Sequence, residues 1–163
     1  MSRILVSVAT YNEIDNVEKL SRQIFDQLPD ARILFVDDAS PDGTGRLLDE
    51  LSKKNDIHVI HRPGKMGLGT ASLLAFKYAL AENFDYLISM DADFSHDPKH
   101  LPEMVKLLRD HEFVLGSRWM KGGVCDYKFG RKILCITGYQ LRRFLLGLSF
   151  HEVTSFYRGF DVR

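Results

Sequence analysis

Three acidic signatures follow apolar, strand-like runs in this chain: Glu13, the pair Asp37-Asp38, and Asp91-Ala92-Asp93. Side chains on a strand alternate faces, so residues two apart point the same way, roughly 6.6 Å apart along an extended chain. Asp91 and Asp93, directly after the run 86–90, can therefore lean toward one divalent cation, and Ser95 offers a further oxygen. Mg²⁺ and Mn²⁺ prefer such hard oxygen ligands, and Mg²⁺ usually takes one or two carboxylates together with substrate phosphates. A pyrophosphate is the natural third party. The plain alternative is a solvated aspartate pair leading into the next helix; the two other acidic strand ends weigh against it.

The elements that must position these residues alternate along the chain. Strands are predicted over 3–9, 32–36, 57–60, 86–90 and 113–115. Between them, Val17, Leu20, Ile24 and Leu28 recur at helical spacing behind Asp15 as N-cap, and 44–51 and 68–80 are predicted helices. Asp97-Pro98 starts another, with Asp as cap, Pro in the first turn, and Leu101, Val105 and Leu108 on the buried face. The alternation predicts an α/β fold: a mostly parallel sheet with helices on both faces. Such sheets bind ligands at the carboxyl ends of their strands, where the acidic signatures lie. Beyond 120 the pattern changes: 120–130 is a polar, glycine-containing loop, and 133–150 is apolar and helix-like, suited to core or to a membrane interface.

Other segments suit parts of a phosphorylated ligand, each with an ordinary alternative. Tyr11 and Glu13, after the first strand, can face a base or ribose, or make a simple turn. Asp38, after the second, suits a ribose hydroxyl or a base N–H, while Ser40, Asp42 and Gly43 form turns readily. An aspartate pair also suits a phospho-acceptor receiver, but that fold wants it after the first strand. The stretch Arg62 to Thr70, with Lys65, Gly67 and Gly69, precedes a helix and can bring backbone N–H groups to an anion; it lacks the P-loop pattern. His96 reads as a turn residue rather than a ligand. Arg118, Arg131 and Arg158 carry the planar fork that suits phosphate, though each singly reads as a surface charge.

The bulk numbers exclude some classes. Lys+Arg and Asp+Glu are both 22, so nothing global points to nucleic acid. Cys125 and Cys135 give neither metal spacing nor a disulfide framework, and reduced thiols in a cytosolic compartment are expected. Met1-Ser2-Arg3 leads straight into a strand, so no leader is expected, and no apolar run has transmembrane length. Any membrane contact is expected to be peripheral, on the cytoplasmic face.

Taken together, Thr10-Tyr11-Asn12-Glu13, residues 36–44, Gly67 to Ala71, residues 90–98, Gly116-Ser117-Arg118, Arg131-Lys132 and residues 154–158 resemble the family-2 inverting glycosyltransferases of GT-A fold. Within them the chain is most similar to dolichyl-phosphate or polyprenyl-phosphate mannosyltransferases. The resemblance implies one catalytic domain over 1–163, continuing in the family beyond this point, so that a C-terminal part is expected to be missing. It implies a GDP-mannose donor site using Ala9, Tyr11, Glu13, Val36, Asp38, Lys65, Asp91 and Ala92. It implies Mg²⁺ or Mn²⁺ on Asp91, Asp93 and Ser95, with Arg118, Arg131 and Arg158 toward the phosphates of donor or acceptor. A polyprenyl phosphate is the implied acceptor. Ala9 stands where the family usually has Pro, Glu152 where an Asp is usual, and residues 154–158 lack the family's Gly. A UDP-sugar transferase, a glycan acceptor, and an inactive nucleotide-binding fragment are the competing readings.

Overall fold

The computed structural model describes residues 2–117 and 155–163. Arg118, Arg131, the predicted loop 120–130 and the predicted helix 133–150 lie outside the described residues. The chain forms two compact units, residues 1–114 with 156–163, and residues 115–155; the site is built on the first.

Its strands are β1 (Ile4–Thr10), β2 (Arg32–Asp37), β3 (Ile57–His61), β4 (Tyr86–Asp91), β5 (Phe113–Leu115) and β6 (Arg158–Asp161), in the sheet order β3-β2-β1-β4-β6-β5. β1 runs parallel to β2 and β4, and β2 parallel to β3. β6 runs antiparallel to β4, with Ser89 opposite Arg158. The chain thus moves outward from β1 to β3, then returns to lay β4 on the other side of β1. That reversal leaves a crevice at the carboxyl ends of β1 and β4, where open α/β sheets take their ligands.

Helices cover both faces, as expected. On one, α1 (Val17–Gln27), α2 (Thr44–Ser52) and α4 (Leu101–Leu107) pack against Val6, Val8, Phe35, Ile88 and Met90. On the other, α3 (Leu68–Ala81) packs against Leu5, Leu34, Val36 and Leu87. The strand residues alternate between the two cores, as the two-residue period requires. α3 buries a stripe of Ala71, Ala75 and Ala79, four apart, and leaves Leu68, Leu73 and Leu80 exposed. The small residues let the helix lie close to the sheet.

Several boundaries differ from expectation. β2 and β4 each extend one residue further, so Asp37 and Asp91 end their strands rather than follow them. α1 begins after Asn16 rather than Asp15, and no side chain caps it; the Glu13 carbonyl accepts from the N–H groups of Asn16 and Val17 instead. Leu28 lies just past the helix but still packs on the core. Asp97 does cap, accepting from the Lys99 N–H, but onto a short 3₁₀ turn, Pro98–His100, that leads into α4. Leu101, Val105 and Leu108 are buried as predicted. Among the described residues, no helix is long and apolar enough to cross a membrane.

Candidate active site

The parallel register brings the strand ends into one row. Ala9 lies level with Val36 on one side and with Asp91 on the other, and Thr10 lies level with Asp37. Three of the expected donor residues are therefore lateral neighbours at the crevice.

Asp37 knits this edge together. Its carboxylate accepts from the Thr10 hydroxyl (3.1 Å), the Ser40 N–H (3.1 Å) and the Ser40 hydroxyl (2.5 Å). Ser40 Oγ in turn accepts from the Asn12 N–H at 3.0 Å, joining the turns after β1 and β2. Asp42 and Thr44 tie the same loop to α2. The Thr44 hydroxyl accepts from the Glu13 N–H at 2.9 Å and donates to Asp42, whose other oxygen accepts from the Ile14 N–H. Burial pushes the Asp42 carboxyl up, but these donors outweigh it and hold it below its ordinary 3.8. The Glu13 carboxylate accepts from Asn16 Nδ2 at 2.7 Å.

Asp38 is buried and paired with Arg62, which is 6% exposed. Arg62 also reaches the Thr70 hydroxyl at 2.6 Å and the Gly67 carbonyl, fastening the loop before α3 to the end of β2. Gly67 adopts φ 86, a left-handed value that favours glycine, and a side chain there would meet open space. Lys65, on this loop, sets its Nζ 3.9 Å from the centre of the Tyr11 ring, so two expected donor residues already touch. The sequence offered no signal that Arg62 would be buried.

The Asp91-Ala92-Asp93 segment leaves the sheet at once. The expectation that Asp91 and Asp93 point the same way along an extended chain is corrected here: β4 stops at Asp91, Ala92 is buried, and Phe94 sits at φ 60. An aromatic residue there is strained, as is common where a backbone is shaped for a site. Asp93 accepts from the Ser95 N–H at 2.9 Å and from its hydroxyl. Burial raises its carboxyl and the Ser95 bonds lower it, with a net fall below the ordinary value. Behind the turn, His96 is buried and its Nδ1 accepts from the Asp91 N–H at 2.9 Å. The same nitrogen lies 3.5 Å from an Asp91 carboxylate oxygen; with its lone pair committed to the N–H, that approach is no ion pair. Arg158 opens β6 opposite Ser89, two residues before Asp91, so the antiparallel pairing brings it to the same end of the sheet.

Among the described residues, no three side chains of His, Cys, Asp or Glu converge as a ready metal cage. Two carboxylates and a serine fit a cation that completes its shell with phosphate oxygens and water. A cleft of about 370 Å³ lies beside the end of β2, lined among others by Asp37, Ser40, Arg46, Asp49 and His61. It holds none of the candidate donor or metal residues.

A sheet reversed beside β1, with acidic strand ends at the reversal, is the GT-A glycosyltransferase arrangement. The chain belongs to glycosyl transferase family 2, whose model matches residues 5–163. It is 38% identical over 160 residues to the undecaprenyl-phosphate mannosyltransferase of Micrococcus luteus, covering 97% of this chain and 66% of that protein. It is 39% identical over 162 residues to the polyprenol monophosphomannose synthase of Mycolicibacterium smegmatis, covering 97% of this chain and 61% of that one. The chain thus spans less than two thirds of the length of these relatives. Among solved structures, a mannosyltransferase from Pyrobaculum calidifontis in complex with GDP-Man and Mn²⁺ superposes with a TM-score of 0.58 at 25% identity, over 68% of this chain and 33% of that one. Glucosyl-3-phosphoglycerate synthase from Mycobacterium tuberculosis, in complex with Mn²⁺, UDP-Glc and phosphoglyceric acid, superposes with a TM-score of 0.68 over 99% of this chain and 57% of that one. At 17% identity it speaks for the fold alone.

Proposed function

We propose that this chain carries the donor site of a metal-dependent, inverting mannosyltransferase that moves mannose from GDP-mannose to a polyprenyl phosphate. The observation that carries the proposal is the row Val36, Ala9 and Asp91 across the carboxyl ends of β2, β1 and β4. Its likeness to two polyprenyl-phosphate mannosyltransferases at 38% and 39% identity supports the donor sugar and acceptor.

In this reading Tyr11, Glu13, Asp38 and Lys65 hold the nucleoside end of the donor, with Ala9, Val36 and Ala92 forming the backbone floor beneath it. Asp91, Asp93 and Ser95 hold Mg²⁺ or Mn²⁺, which when bound offsets negative charge on the leaving diphosphate. Arg158 faces phosphate from β6, and Arg118 and Arg131 are assigned there by family resemblance. An acceptor phosphate oxygen forms a bond to the anomeric carbon from the face opposite the diphosphate. The bond from that carbon to the diphosphate oxygen breaks, and GDP leaves with the electron pair. A phosphate monoester has its second pKa near 6, so its oxygen is already ionised at neutral pH and no strong base is needed. The acceptor's lipid tail places the work at a membrane surface, met peripherally on the cytoplasmic face.

The test is transfer of labelled mannose from GDP-mannose to a short polyprenyl phosphate, with Mn²⁺ and with chelator. Metal-dependent lipid-linked product is expected. Product from UDP-glucose instead would favour the competing donor, and transfer to a glycan but not to the lipid phosphate would overturn the acceptor.

A further inference from the structure

Donor and acceptor binding leave one buried polar pair unexplained. His96 and Tyr157 are each 5% exposed, and their rings stack 5.0 Å apart at 17°. The geometry points to His96 as a positioning residue: its Nδ1 fixes the strand-end backbone from which Asp91 projects, and Tyr157 locks His96 in place. This rests on the metal reading above.

The ladder between β4 and β6 has ended at the Ser89–Arg158 pair, so Asp91 comes after its last rung. At that point the Asp91 N–H donates to a side chain, His96 Nδ1, at 2.9 Å. An N–H can be received only by an unprotonated ring nitrogen, so the neutral ring carries its proton on Nε2. The imidazole then cannot donate from Nδ1 to the Asp91 carboxylate lying 3.5 Å away. His96 thereby holds the backbone of Asp91 without taking its carboxylate as a hydrogen-bond partner through that nitrogen.

Tyr157 secures this from behind. Its hydroxyl donates to the Asp97 carbonyl at 3.1 Å while its ring covers the imidazole. Burial pushes that hydroxyl's pKa up, so it remains a donor. Tyr157 is also the residue before Arg158, so one stacked pair couples the Asp91-to-Asp97 turn to the strand that brings in the arginine. A packing role alone would be met by any ring of similar size. An acceptor nitrogen aimed at the strand-end N–H is the feature such a role does not require.

The experiment compares the wild-type protein with His96→Ala, His96→Asn and Tyr157→Phe, using two readouts. Without metal, NMR exchange should show the Asp91 amide protected in the wild type and in His96→Asn, which keeps an acceptor, and at least about tenfold faster in His96→Ala. With GDP present, Mn²⁺ affinity by calorimetry should fall about 10- to 100-fold in His96→Ala, the range for residues that orient metal ligands. It should largely recover in His96→Asn and be intermediate in Tyr157→Phe. If His96→Ala does not fold, His96→Phe, which fills the space without an acceptor, replaces it. Unchanged Mn²⁺ affinity in a folded variant lacking the acceptor would overturn the inference alone, as would equal weakening in the alanine and asparagine variants. A wild-type protein that binds no Mn²⁺ would overturn the metal reading and this inference together.

Discussion

The Asp38 carboxylate is almost wholly removed from water and faces the Arg62 guanidinium, which is as deeply buried. Removing one partner of such a pair leaves an uncompensated charge, at a cost of about 3–5 kcal/mol, whereas removing both is far milder. Arg62→Ala should therefore lower the urea midpoint by that equivalent, and Arg62→Ala with Asp38→Leu should recover most of it. Equal losses in the two proteins would contradict the pairing. At the other strand end, Asp91→Asn keeps the shape of the side chain and removes its charge. Metal-dependent mannosyl transfer should fall by about 10²-fold or more, and full activity would sink the metal assignment. The acidic residues themselves were legible from type and position. Their partners were not: Arg62 and His96 are polar residues in a loop and a turn, and only the folded chain shows that both are buried behind the carboxylates.

The N-terminus of α2 depends on Asp42, which accepts from the Thr44 N–H and hydroxyl and from the Ile14 N–H. Asp42→Ala should cost about 1 kcal/mol at neutral pH. Because the folded carboxyl titrates below its ordinary 3.8, the folded state releases this proton more readily than the unfolded chain. The contribution is then complete above about pH 4 and lost as pH falls through the depressed folded value. Chemical denaturation of the two proteins should show a stability gap that narrows toward low pH; a gap that widens on acidification would contradict this. β6 carries a different constraint. A Cβ on Gly159 would come 3.0 Å from Leu108 Cδ1, and Leu108 is fully buried in the core. Gly159→Ala should destabilise by about 1–3 kcal/mol, and Leu108→Val should reduce that penalty in the double variant. Among the described residues, strands β1 to β5 and helices α1 to α3 were readable to within a residue or two from apolar period and turn residues, whereas α4 starts three residues later than Asp97-Pro98 suggests, behind the 3₁₀ turn. β6 was not readable, because Arg158-Gly159-Phe160-Asp161 is short, shows no alternation and contains a glycine. What makes it a strand is the open edge of β4. The buried face of α3 was not read from the sequence: Ala71, Ala75 and Ala79 are buried while Leu68, Leu73 and Leu80 are exposed.

At the scale of the whole molecule, the proposed polyanionic donor would be held by the first unit of a chain with zero formal net charge. The sheet reverses beside β1, and the turn after β1 is bonded to the turn after β2 through Ser40. In the proposed reading, local charge and a bound metal would supply what net charge does not. The family and the fold stand on the sequence match and the sheet order; the guanine nucleotide and the metal are the central proposal. Calorimetric binding of GDP-mannose, GDP and UDP-glucose, each with and without Mn²⁺, tests it most directly. GDP-mannose and GDP are expected to bind in a Mn²⁺-dependent manner, and UDP-glucose is expected not to compete. Metal-independent binding, preference for UDP-glucose, or no binding of any of the three would contradict it.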